Sequence, residues 1–344
     1  MSNEMGKILV TGGCGFIGSH TSVLLLKLGY SITIIDSNSN SSPKSIKRIT
    51  EIASMESIVL ENKISFHHGD LLDYKFIENV FDIENSKFNK INYVIHFAGL
   101  KSVKESTNYP INYWDTNLVG TINLLKVMQK NECKNLIFSS SATVYSHKEK
   151  EFISEKDPLK PSNPYGNSKL AIESFLRDVY ESYNENWRIA CLRYFNPIGA
   201  HPSGLLGEDP CGIPNNIFPL INNVASGQKE FLEIFGDDWN TSDGTCIRDY
   251  IHVMDLAMAH IKTMELINSE KPQYLIMNVG TGIGTSVLEL IKTFEKVNHL
   301  KIPFKITSRR EGDFKNVVAD NSFSYSLLKW KAELSLEDMC RDGW

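Results

Sequence analysis

The sequence has no long apolar run, no paired cysteines and no excess of basic residues. A helix that spans a bilayer needs roughly 18 or more consecutive apolar residues, whereas the longest candidate, Val23 to Leu28, is interrupted by Lys27. We therefore expect no membrane-spanning segment. The start of the chain, Met1 to Lys7, has neither the apolar segment of a secretory signal nor a lipidation motif, so the cytoplasm is the predicted location.

The charge balance and the cysteine pattern exclude further classes of protein. The 344 residues include 36 Lys plus Arg against 41 Asp plus Glu, a net charge of −5 that does not favour a nucleic-acid-binding protein. The six cysteines stand singly without a Cys-x-x-Cys pair, which argues against a zinc site and against a disulfide framework. The adjacent His67 and His68 have no third ligand at metal spacing, so we predict no metal site.

The composition and the periodicity of the first half predict an α/β protein. Hydrophobic residues make up 42% and charged residues 22%, as in chains that bury a core. Short β-branched runs alternate with segments of helical spacing, which predicts parallel strands and crossover helices in a Rossmann-type, doubly wound sheet. The predicted strands are Lys7 to Thr11, Ser31 to Asp36, Ile64 to His68, Asn92 to Phe97, Lys134 to Ser140 and Arg188 to Phe195. The predicted helices are Phe16 to Leu28, Asn112 to Lys130 and Pro164 to Tyr183.

The texture of the sequence changes after Phe195, where we place a lobe boundary. Asn196 to Pro219 is rich in Gly, Pro and Asn and has no sustained period, as expected of loops that line a site. Residues 1–195 are thus predicted to form the first domain, and residues 196–344 a smaller, mixed α/β lobe from which some segments return to the first domain. The elements predicted for this lobe are helices Asn216 to Ser226, Val253 to Ile267, Val287 to Val297 and Ser322 to Trp330, and strands Leu232 to Phe235, Tyr274 to Val279 and Phe304 to Thr307.

A glycine-rich turn joins the first predicted strand to the first helix. Thr11-Gly12-Gly13-Cys14-Gly15-Phe16-Ile17-Gly18 places three glycines, Gly12, Gly15 and Gly18, in a GxxGxxG pattern. Glycine lets the backbone approach a pyrophosphate closely, and the helix N-terminus offers free N–H groups and the positive end of the helix dipole. The first domain is therefore predicted to bind a dinucleotide.

Asp36, at the end of the second strand, predicts which dinucleotide is bound. It lies close to the offset of roughly 20 residues expected of the acid that binds the ribose. A carboxylate there accepts hydrogen bonds from the 2′-OH and repels a 2′-phosphate, which favours NAD over NADP, although the nearby Lys44, Lys47 and Arg48 leave NADP open. Two further loops follow strands at the same edge of the sheet, namely Asp70, placed for the adenine, and Phe97-Ala98-Gly99-Leu100, near the middle of the cofactor.

Tyr165 and Lys169 are four residues apart on a predicted helix, so their side chains share one face. A tyrosine with a pKa of about 10 is a poor base at neutral pH, but a nearby ammonium and a cationic nicotinamide both favour the phenolate. Directly upstream, Ser139-Ser140-Ser141-Ala142-Thr143 ends the fifth strand with hydroxyls that can hydrogen-bond a reacting sugar hydroxyl. The serine, the tyrosine and the lysine together predict a proton-transfer site.

These features resemble the extended short-chain dehydrogenase/reductase family, and longer motifs narrow the resemblance to the UDP-glucose 4-epimerase family. The motifs are Phe97-Ala98-Gly99-Leu100-Lys101, Phe138-Ser139-Ser140-Ser141-Ala142-Thr143-Val144-Tyr145, Arg193-Tyr194-Phe195-Asn196-Pro197, Gly207-Glu208-Asp209-Pro210, Gly212-Ile213-Pro214-Asn215-Asn216, Arg248-Asp249-Tyr250-Ile251-His252-Val253 and Arg309-Arg310-Glu311-Gly312-Asp313. The resemblance covers nearly the whole chain. It implies a tightly bound NAD that takes a hydride from C4 of UDP-galactose or UDP-glucose, a 4-ketopyranose that rotates, and hydride return to the opposite face.

The resemblance also implies individual roles. Tyr165 would exchange the C4 hydroxyl proton, directly or through Ser141, while Lys169 would hold the nicotinamide ribose and keep Tyr165 acidic. The implied cofactor contacts are Gly12, Gly15, Phe16, Ile17, Gly18, Asp36, Asn40, Asp70, Leu71, Phe97, Ala98, Gly99, Lys101, Asn117, Tyr165, Lys169 and Phe195. The implied contacts of the UDP-sugar are Lys101, Ser141, Thr143, Tyr165, Asn196, Asn216, Ile217, Phe235, Arg248, Tyr250, Arg310, Asp313 and Val317.

Three positions depart from the pattern of that family. Ser37 and Thr116 stand where the epimerases often carry Asn, which bears on cofactor hydrogen bonds. Val317 resembles the position at which a bulky Tyr closes the sugar pocket in epimerases restricted to non-acetylated hexoses. We hypothesise that Val317 leaves room for a 2-acetamido group, so that UDP-N-acetylglucosamine and UDP-N-acetylgalactosamine are also substrates.

Other functions share much of this pattern. A sugar-nucleotide 4,6-dehydratase has the same fold, cofactor and YxxxK motif, but typically carries an Asp-Glu pair after the strand-end Thr, where this chain has Val144 and Tyr145. A UDP-glucuronate epimerase and a non-catalytic NAD-sensing protein are further alternatives. The resemblance implies a homodimer through the helices Asn112 to Lys130 and Pro164 to Tyr183, although their apolar residues are equally explained by packing on the sheet.

Overall fold

Parallel strands form the central sheet of the first lobe in this computed structural model. The structure describes residues 6–86, 89–146, 151–182, 186–212, 214, 216–268, 271–310 and 312–344. The strands in these ranges are β1 (Lys7–Thr11), β2 (Ser31–Asp36), β3 (Ile64–His68), β4 (Ile91–His96), β5 (Asn135–Ser141), β6 (Arg188–Tyr194), β7 (Asn196–Ile198), β8 (Leu232–Phe235), β9 (Ile247–His252), β10 (Gln273–Val279), β11 (Gly284–Ser286), β12 (Phe304–Thr307) and β13 (Asn316–Val317).

Helices cover both faces of this sheet and fill the second lobe. They are α1 (Phe16–Lys27), α2 (Lys44–Met55), α3 (Tyr74–Asn85), α4 (Val103–Asn108), α5 (Pro110–Tyr113), α6 (Gly120–Lys130), α7 (Pro164–Glu181), α8 (Ile217–Ala225), α9 (Val253–Ile267), α10 (Val287–Asn298), α11 (Ser322–Leu328) and α12 (Leu336–Gly343). Among the described residues, no helix is long and apolar enough to cross a membrane.

The strand order β10-β6-β5-β4-β1-β2-β3 confirms the predicted doubly wound Rossmann sheet. Every pairing in this sheet is parallel, so the carboxyl ends of the strands meet at one edge. Strand β1 lies at the point where the strand order reverses, with β4 on one side and β2 on the other. Ligands of open α/β sheets bind in the crevice outside this switch point.

The side chains of β1 alternate between the two faces of the sheet, as the period of a strand requires. Ile8 and Val10 belong to one apolar cluster, which includes Leu25 of α1 and Ala257 of α9. Leu9 belongs to the cluster on the opposite face, with residues of α6 and α7. The sheet is therefore buried on both faces, which explains why its strands have almost continuous apolar sequences.

Two elements that follow the boundary placed after Phe195 return to the first lobe. Strand β10, which we assigned to the second lobe, pairs along its length with β6 as the seventh strand of the central sheet. Helix α9 also returns and packs against α1. A buried apolar run does not reveal which sheet it joins, so the sequence pattern identified β10 as a strand but did not show which segments return to the first lobe.

The helix predicted from Asn112 to Lys130 is divided. Helix α5 begins with Pro110 and ends at Tyr113, a π-helical segment runs from Trp114 to Val119, and α6 follows. The wider π turn changes the direction of the side chains within it, and Asn117 is buried toward the site. Such single π turns inside helices are frequent at functional sites.

The second lobe contains two small sheets. Strands β7, β9, β11 and β13 form one, and β8 pairs in parallel with β12 in the other. Helices α8, α10 and α12 pack around an apolar cluster that includes Phe218, Ile291 and Met339. Strand β9 and helix α12 were not predicted, because β9 is short and carries charged residues and α12 is mostly polar on its exposed side. Tyr183, Ile213, Asn215 and Glu311, which belong to the predicted helix and motifs, lie outside the described residues.

Candidate active site

The glycine turn after β1 is shaped for close approach by a phosphate. Gly12 has φ +68°, and a Cβ on it would lie 2.6 Å from the Ala98 backbone nitrogen. A Cβ on Gly18 would lie 2.4 Å from the Gly12 carbonyl oxygen. Gly15 is the N-cap of α1, whose first N–H groups point out of the turn. A glycine turn at a helix N-terminus is the kind of site that binds the pyrophosphate of a dinucleotide.

Asp36 is buried and held in place by its own loop. Its Oδ2 accepts a hydrogen bond of 2.9 Å from the Cys14 backbone N–H, and its Oδ1 accepts from the Asn38 N–H at 2.9 Å and from the Ser41 hydroxyl at 2.8 Å. These bonds fix the carboxylate beside the glycine turn. A carboxylate has about four acceptor positions, so it keeps capacity for a ribose hydroxyl.

We predict that Asp36→Ala weakens the preference for NAD over NADP by about 10-fold or more, because hydrogen bonds to charged groups contribute roughly 1.5 to 3 kcal/mol. The measurement is the ratio of the dissociation constants of the two dinucleotides. Asp36→Asn is the control for the loop, since it keeps one acceptor oxygen for Cys14 or Ser41 while it loses the charge and the second acceptor. A ratio unchanged in both variants would place the ribose contact elsewhere.

The other predicted cofactor residues gather at the same edge of the sheet. Ala98 donates its N–H to Thr11 Oγ1 at 3.4 Å, and Phe97 packs against His260 with ring centroids 4.8 Å apart. Asn117 makes three hydrogen bonds within the protein, to both backbone groups of Leu100 and to Ser168. Its amide therefore holds the backbone of the loop that follows Gly99. Phe16, Ile17, Phe195 and Leu71 are buried or half-buried, whereas Asn40 and Asp70 are exposed.

Strand β5 and helix α7 bring the predicted proton-transfer residues together. Ser141 ends β5, and its Oγ accepts hydrogen bonds from the Thr143 backbone N–H at 3.2 Å and from the Thr143 hydroxyl at 3.0 Å. Pro164 starts α7, and Asn163 caps it by accepting from the Gly166 N–H. This cap fixes Tyr165 in the first turn, where the Ser141 side chain is close enough to lower the pKa of the phenol.

Lys169 lies one turn further along α7 and points into the sheet edge. Its Nζ donates to the Ser139 carbonyl at 2.8 Å and lies 5.9 Å from the centroid of the Tyr165 ring. Burial lowers the pKa of Lys169 to about 8, and the charge of Glu173 opposes this shift. Lys169 is therefore mostly protonated at neutral pH.

The pKa of Tyr165 differs from the expectation that it would be lowered. Burial raises the pKa of the phenol, and the hydrogen bond with Ser141 only partly opposes this. The reason is geometric, because Lys169 is turned toward the Ser139 carbonyl. Protein groups alone thus keep Tyr165 protonated at neutral pH, and a cationic nicotinamide is the group that would favour the phenolate.

The residues predicted to hold UDP belong to the second lobe. Arg248 on β9 forms an ion pair with Asp313 and donates to the Phe314 carbonyl at 2.9 Å. Arg310 is exposed and stacks over the Phe235 ring at 3.8 Å. A guanidinium suits bidentate contact with a diphosphate, and an aromatic ring suits stacking on a base.

Not every predicted substrate residue lies at an open surface. Tyr250 is only 3% exposed and packs in the core of the second lobe, where burial raises its pKa. Asn196 on β7 and Ile217 at the start of α8 are half-buried. Val317 is 9% exposed and packs in a small apolar cluster with Ala142 and Phe195, next to the strand end that carries Ser141.

Glu208 contacts two of the residues predicted to bind the cofactor or the UDP-sugar, although the sequence predicted no role of its own for it. Its Oε1 accepts hydrogen bonds from Lys101 Nζ and Asn216 Nδ2, each 2.6 Å long. The loop that carries Glu208 thereby connects the cofactor side of the cleft to the second lobe. The signal in the sequence was an acidic residue inside a loop rich in Gly and Pro, which does not by itself reveal its partners.

This fold with this Ser-Tyr-Lys arrangement defines the extended short-chain dehydrogenase/reductase class. The profile of the family described as GDP-mannose 4,6 dehydratase matches residues 9–343. UDP-glucose 4-epimerase 2 of Arabidopsis thaliana and the UDP-glucose 4-epimerase of Bacillus subtilis are each 48% identical over 98% of this chain, and the matches cover 93% and 95% of those proteins. The chain belongs to the UDP-glucose 4-epimerase family.

A solved structure agrees with this assignment. The crystal structure of UDP-glucose 4-epimerase from Bifidobacterium longum, in complex with NAD+ and UDP, superposes with a TM-score of 0.90 at 46% identity. The match covers 98% of this chain and 96% of that one. The similarity therefore includes both lobes.

Proposed function

We propose that the protein interconverts UDP-galactose and UDP-glucose by inverting C4 of the hexose, with a retained NAD. The observation that carries this proposal is the Ser141, Tyr165 and Lys169 arrangement beside the glycine turn, in a chain that aligns end to end with UDP-glucose 4-epimerases. NAD, when bound, supplies a reversible hydride acceptor. Gly12, Gly18 and Asp36 would hold it, and the turn needs glycine at both positions because a Cβ on either one would collide with neighbouring backbone atoms.

Tyr165 removes the proton of the C4 hydroxyl and returns one when the sugar is reduced again. Ser141 lies near the phenol and supplies a second hydroxyl through which the proton passes when the hexose presents its other face. Lys169 keeps a positive charge close to both groups. General acid–base catalysis of this kind contributes typically about 10²- to 10⁴-fold to the rate.

The hexose must present opposite faces to the same groups, so tight contacts belong on the nucleotide. Arg248 and Arg310 carry the charges for the diphosphate, and Phe235 is the ring available for stacking. Asp313 now pairs with Arg248, and a ribose hydroxyl is a suitable partner for the same carboxylate.

N-acetylated UDP-hexoses form a second class of substrates in this proposal. Val317 lies beside Ala142 and Phe195, close to the strand end that holds Ser141, so the size of its side chain bears on the hexose pocket. We expect the protein to convert UDP-N-acetylglucosamine as well as UDP-galactose. Val317→Tyr should abolish turnover of the N-acetylated substrate and leave that of UDP-galactose within about threefold, which acts as the internal control for folding. An enzyme active on UDP-galactose without detectable turnover of the N-acetylated sugar removes this idea.

A homodimer is the proposed assembly. Five apolar side chains on or next to α4, α5 and the π segment are exposed, and the sheet does not cover them. They are Val103, Tyr109, Ile111, Trp114 and Val119. Ile111 is 73% exposed. Exposed apolar patches mark protein interfaces, and sedimentation of the purified protein measures whether two chains pair.

The test of the main proposal is conversion of UDP-galactose by the purified protein with no NAD added, followed by proton NMR of the anomeric signals. Appearance of UDP-glucose establishes 4-epimerisation with a retained cofactor. No conversion, even after NAD is supplied, would contradict the proposal. The next candidate would then be a 4,6-dehydratase, which the absence of an acidic pair after Thr143 disfavours.

A further inference from the structure

A buried ion pair connects the helix that carries Tyr165 and Lys169 to strand β6. Glu173 on α7 and Arg193 on β6 are each only 1% exposed. The guanidinium binds the carboxylate with two bonds, Nε to Oε1 at 2.9 Å and Nη2 to Oε2 at 2.6 Å. Bidentate pairs of this kind are the strongest and most directional polar contacts in proteins.

The same pair reaches both ends of the serine segment. Ser140, next to Ser141 on β5, donates to Glu173 Oε1 at 2.5 Å. Arg193 Nη1 donates to the Tyr145 hydroxyl at 2.9 Å, and Tyr145 closes the turn that contains Thr143. The strand end with Ser141 is thus held on two sides by the hydrogen bonds that Glu173 and Arg193 make.

The network continues into the seventh strand of the sheet. Tyr145 donates to Asn278 Oδ1 of β10 at 2.6 Å, and Asn278 Nδ2 donates to the Ile153 carbonyl at 2.8 Å. The Tyr274 hydroxyl, also on β10, donates to the Glu173 backbone carbonyl at 2.8 Å. Strands β5, β6 and β10 are therefore connected to α7 through one set of buried polar groups, all of which have partners.

The spacing along α7 relates this network to the proton-transfer residues. Tyr165, Lys169 and Glu173 follow at intervals of four and lie on one face of the helix. If α7 slid or rotated against β5, the Ser140–Glu173 bond and the Tyr165–Ser141 contact would change together. The contact that holds the helix therefore also sets the distance over which the proton moves.

We propose that the Glu173–Arg193 pair is a positioning device that fixes the register of Tyr165 against Ser141 and stabilises the ammonium of Lys169. The proposal rests on the function proposed above. Neither residue touches the sugar in this scheme, because both act through α7 and β5. If the pair had a purely structural role, its loss would lower stability but leave the kcat of the folded protein unchanged. A positioning role predicts that kcat itself changes.

The charges around Lys169 determine the expected effect of pH. His96 of β4 faces it, but burial lowers the pKa of His96 to about 3 and leaves the ring uncharged. Tyr165 on the same helix is neutral, and Arg193 of β6 is paired with Glu173. Burial lowers the pKa of Lys169 to about 8 against the raising effect of Glu173. Without Glu173 the pKa falls further, so the alkaline loss of activity moves to lower pH.

The experiment uses the double variant Glu173→Leu/Arg193→Met in the holoenzyme. Removing both charges leaves neither unpaired in the interior, which is the main reason that single variants of buried pairs unfold. The control is Lys7→Met/Glu84→Leu, which removes a buried pair of 2.8 Å, together with the contact of Glu84 to His67, at the opposite end of β1 from the glycine turn. Turnover of UDP-galactose is measured against pH, with NAD content and folding checked for each protein.

We expect kcat of the Glu173/Arg193 variant to fall about 10- to 100-fold with KM nearly unchanged, since a misplacement of about 1 Å can cost 10²-fold. Its alkaline limb should move down by about one pH unit. The control variant should keep the wild-type kcat and pH profile. A folded, NAD-containing double variant with the wild-type kcat, or with losses equal to those of the control, would overturn the proposal.

Ser140→Ala keeps the test decisive if the double variant does not fold. It removes one hydrogen bond and no charge, so kcat should fall severalfold while the alkaline limb stays in place. A folded Ser140→Ala protein with the wild-type kcat would refute the positioning role. Wild-type protein in the same assay separates the two proposals, because its failure to convert UDP-galactose contradicts the function, whereas an active wild type with unaffected variants contradicts only this inference.

Discussion

Tyr165→Phe should lower the turnover of UDP-galactose by about 10²- to 10⁴-fold and leave the bound NAD in place. The phenol oxygen is the only group of this residue that the proposed proton transfer uses, and general acid–base groups contribute rate factors of this size. The ring remains, so packing of the first turn of α7 is preserved. Because the lost interaction acts on the chemical step, kcat falls while KM changes little.

The matched control for this variant is on the same helix. Tyr180→Phe removes a hydroxyl near the end of α7, where the ring stacks on Tyr274 with centroids 5.9 Å apart, remote in sequence from the first turn. We expect Tyr180→Phe to have wild-type turnover. The measurement is the initial rate of UDP-glucose formation per molecule of bound NAD. Turnover of Tyr165→Phe near that of the control would refute the role of Tyr165 as the proton-transfer group.

The sequence predicted structural features best where a residue type has one main physical role. The bounds of β1, β2 and β3 were predicted without error, and for β1 and β2 the reason is that an apolar run between turn residues defines a buried parallel strand closely. The glycine turn, Asp36 and the Tyr165–Lys169 spacing were predicted from conformational freedom, charge and helical period, and the structure places them at one sheet edge. Local rules sufficed for these features.

Features that depend on partners distant in sequence could not be predicted in this way. The π turn over Trp114 to Val119 reads as ordinary helix, since nothing in its residues marks the wider turn. Glu173 has the helical spacing of Tyr165 and Lys169, but its meaning depends on Arg193 on another strand. The same holds for Glu208, which becomes informative only when Lys101 and Asn216 are seen on one of its oxygens.

Gly18→Ala should weaken the binding of NAD by roughly 10- to 100-fold and give a protein that is purified without its cofactor. The added Cβ would lie 2.4 Å from the Gly12 carbonyl oxygen and 2.8 Å from the Gly13 Cα. Both are backbone atoms of the turn, so no flexible side chain can yield, and α1 must move away from the glycine turn. Overpacking of this kind costs about 1 to 3 kcal/mol. In the free protein the turn can relax, whereas binding of the pyrophosphate requires the original geometry, so the cost appears in the affinity for NAD.

Gly207→Ala is the control for Gly18→Ala because the same methyl group is added where space exists. Its Cβ would lie 3.6 Å from the Ala200 Cβ, an ordinary van der Waals contact. Released nucleotide after denaturation, quantified per chain, and the dissociation constant for added NAD measure the effect. The variant at Gly18 should regain turnover when NAD is supplied in excess, because Ser141, Tyr165 and Lys169 are untouched. Full retention of NAD by Gly18→Ala would show that the helix N-terminus does not hold the pyrophosphate. The same conclusion would follow if the purified variant were active without added NAD.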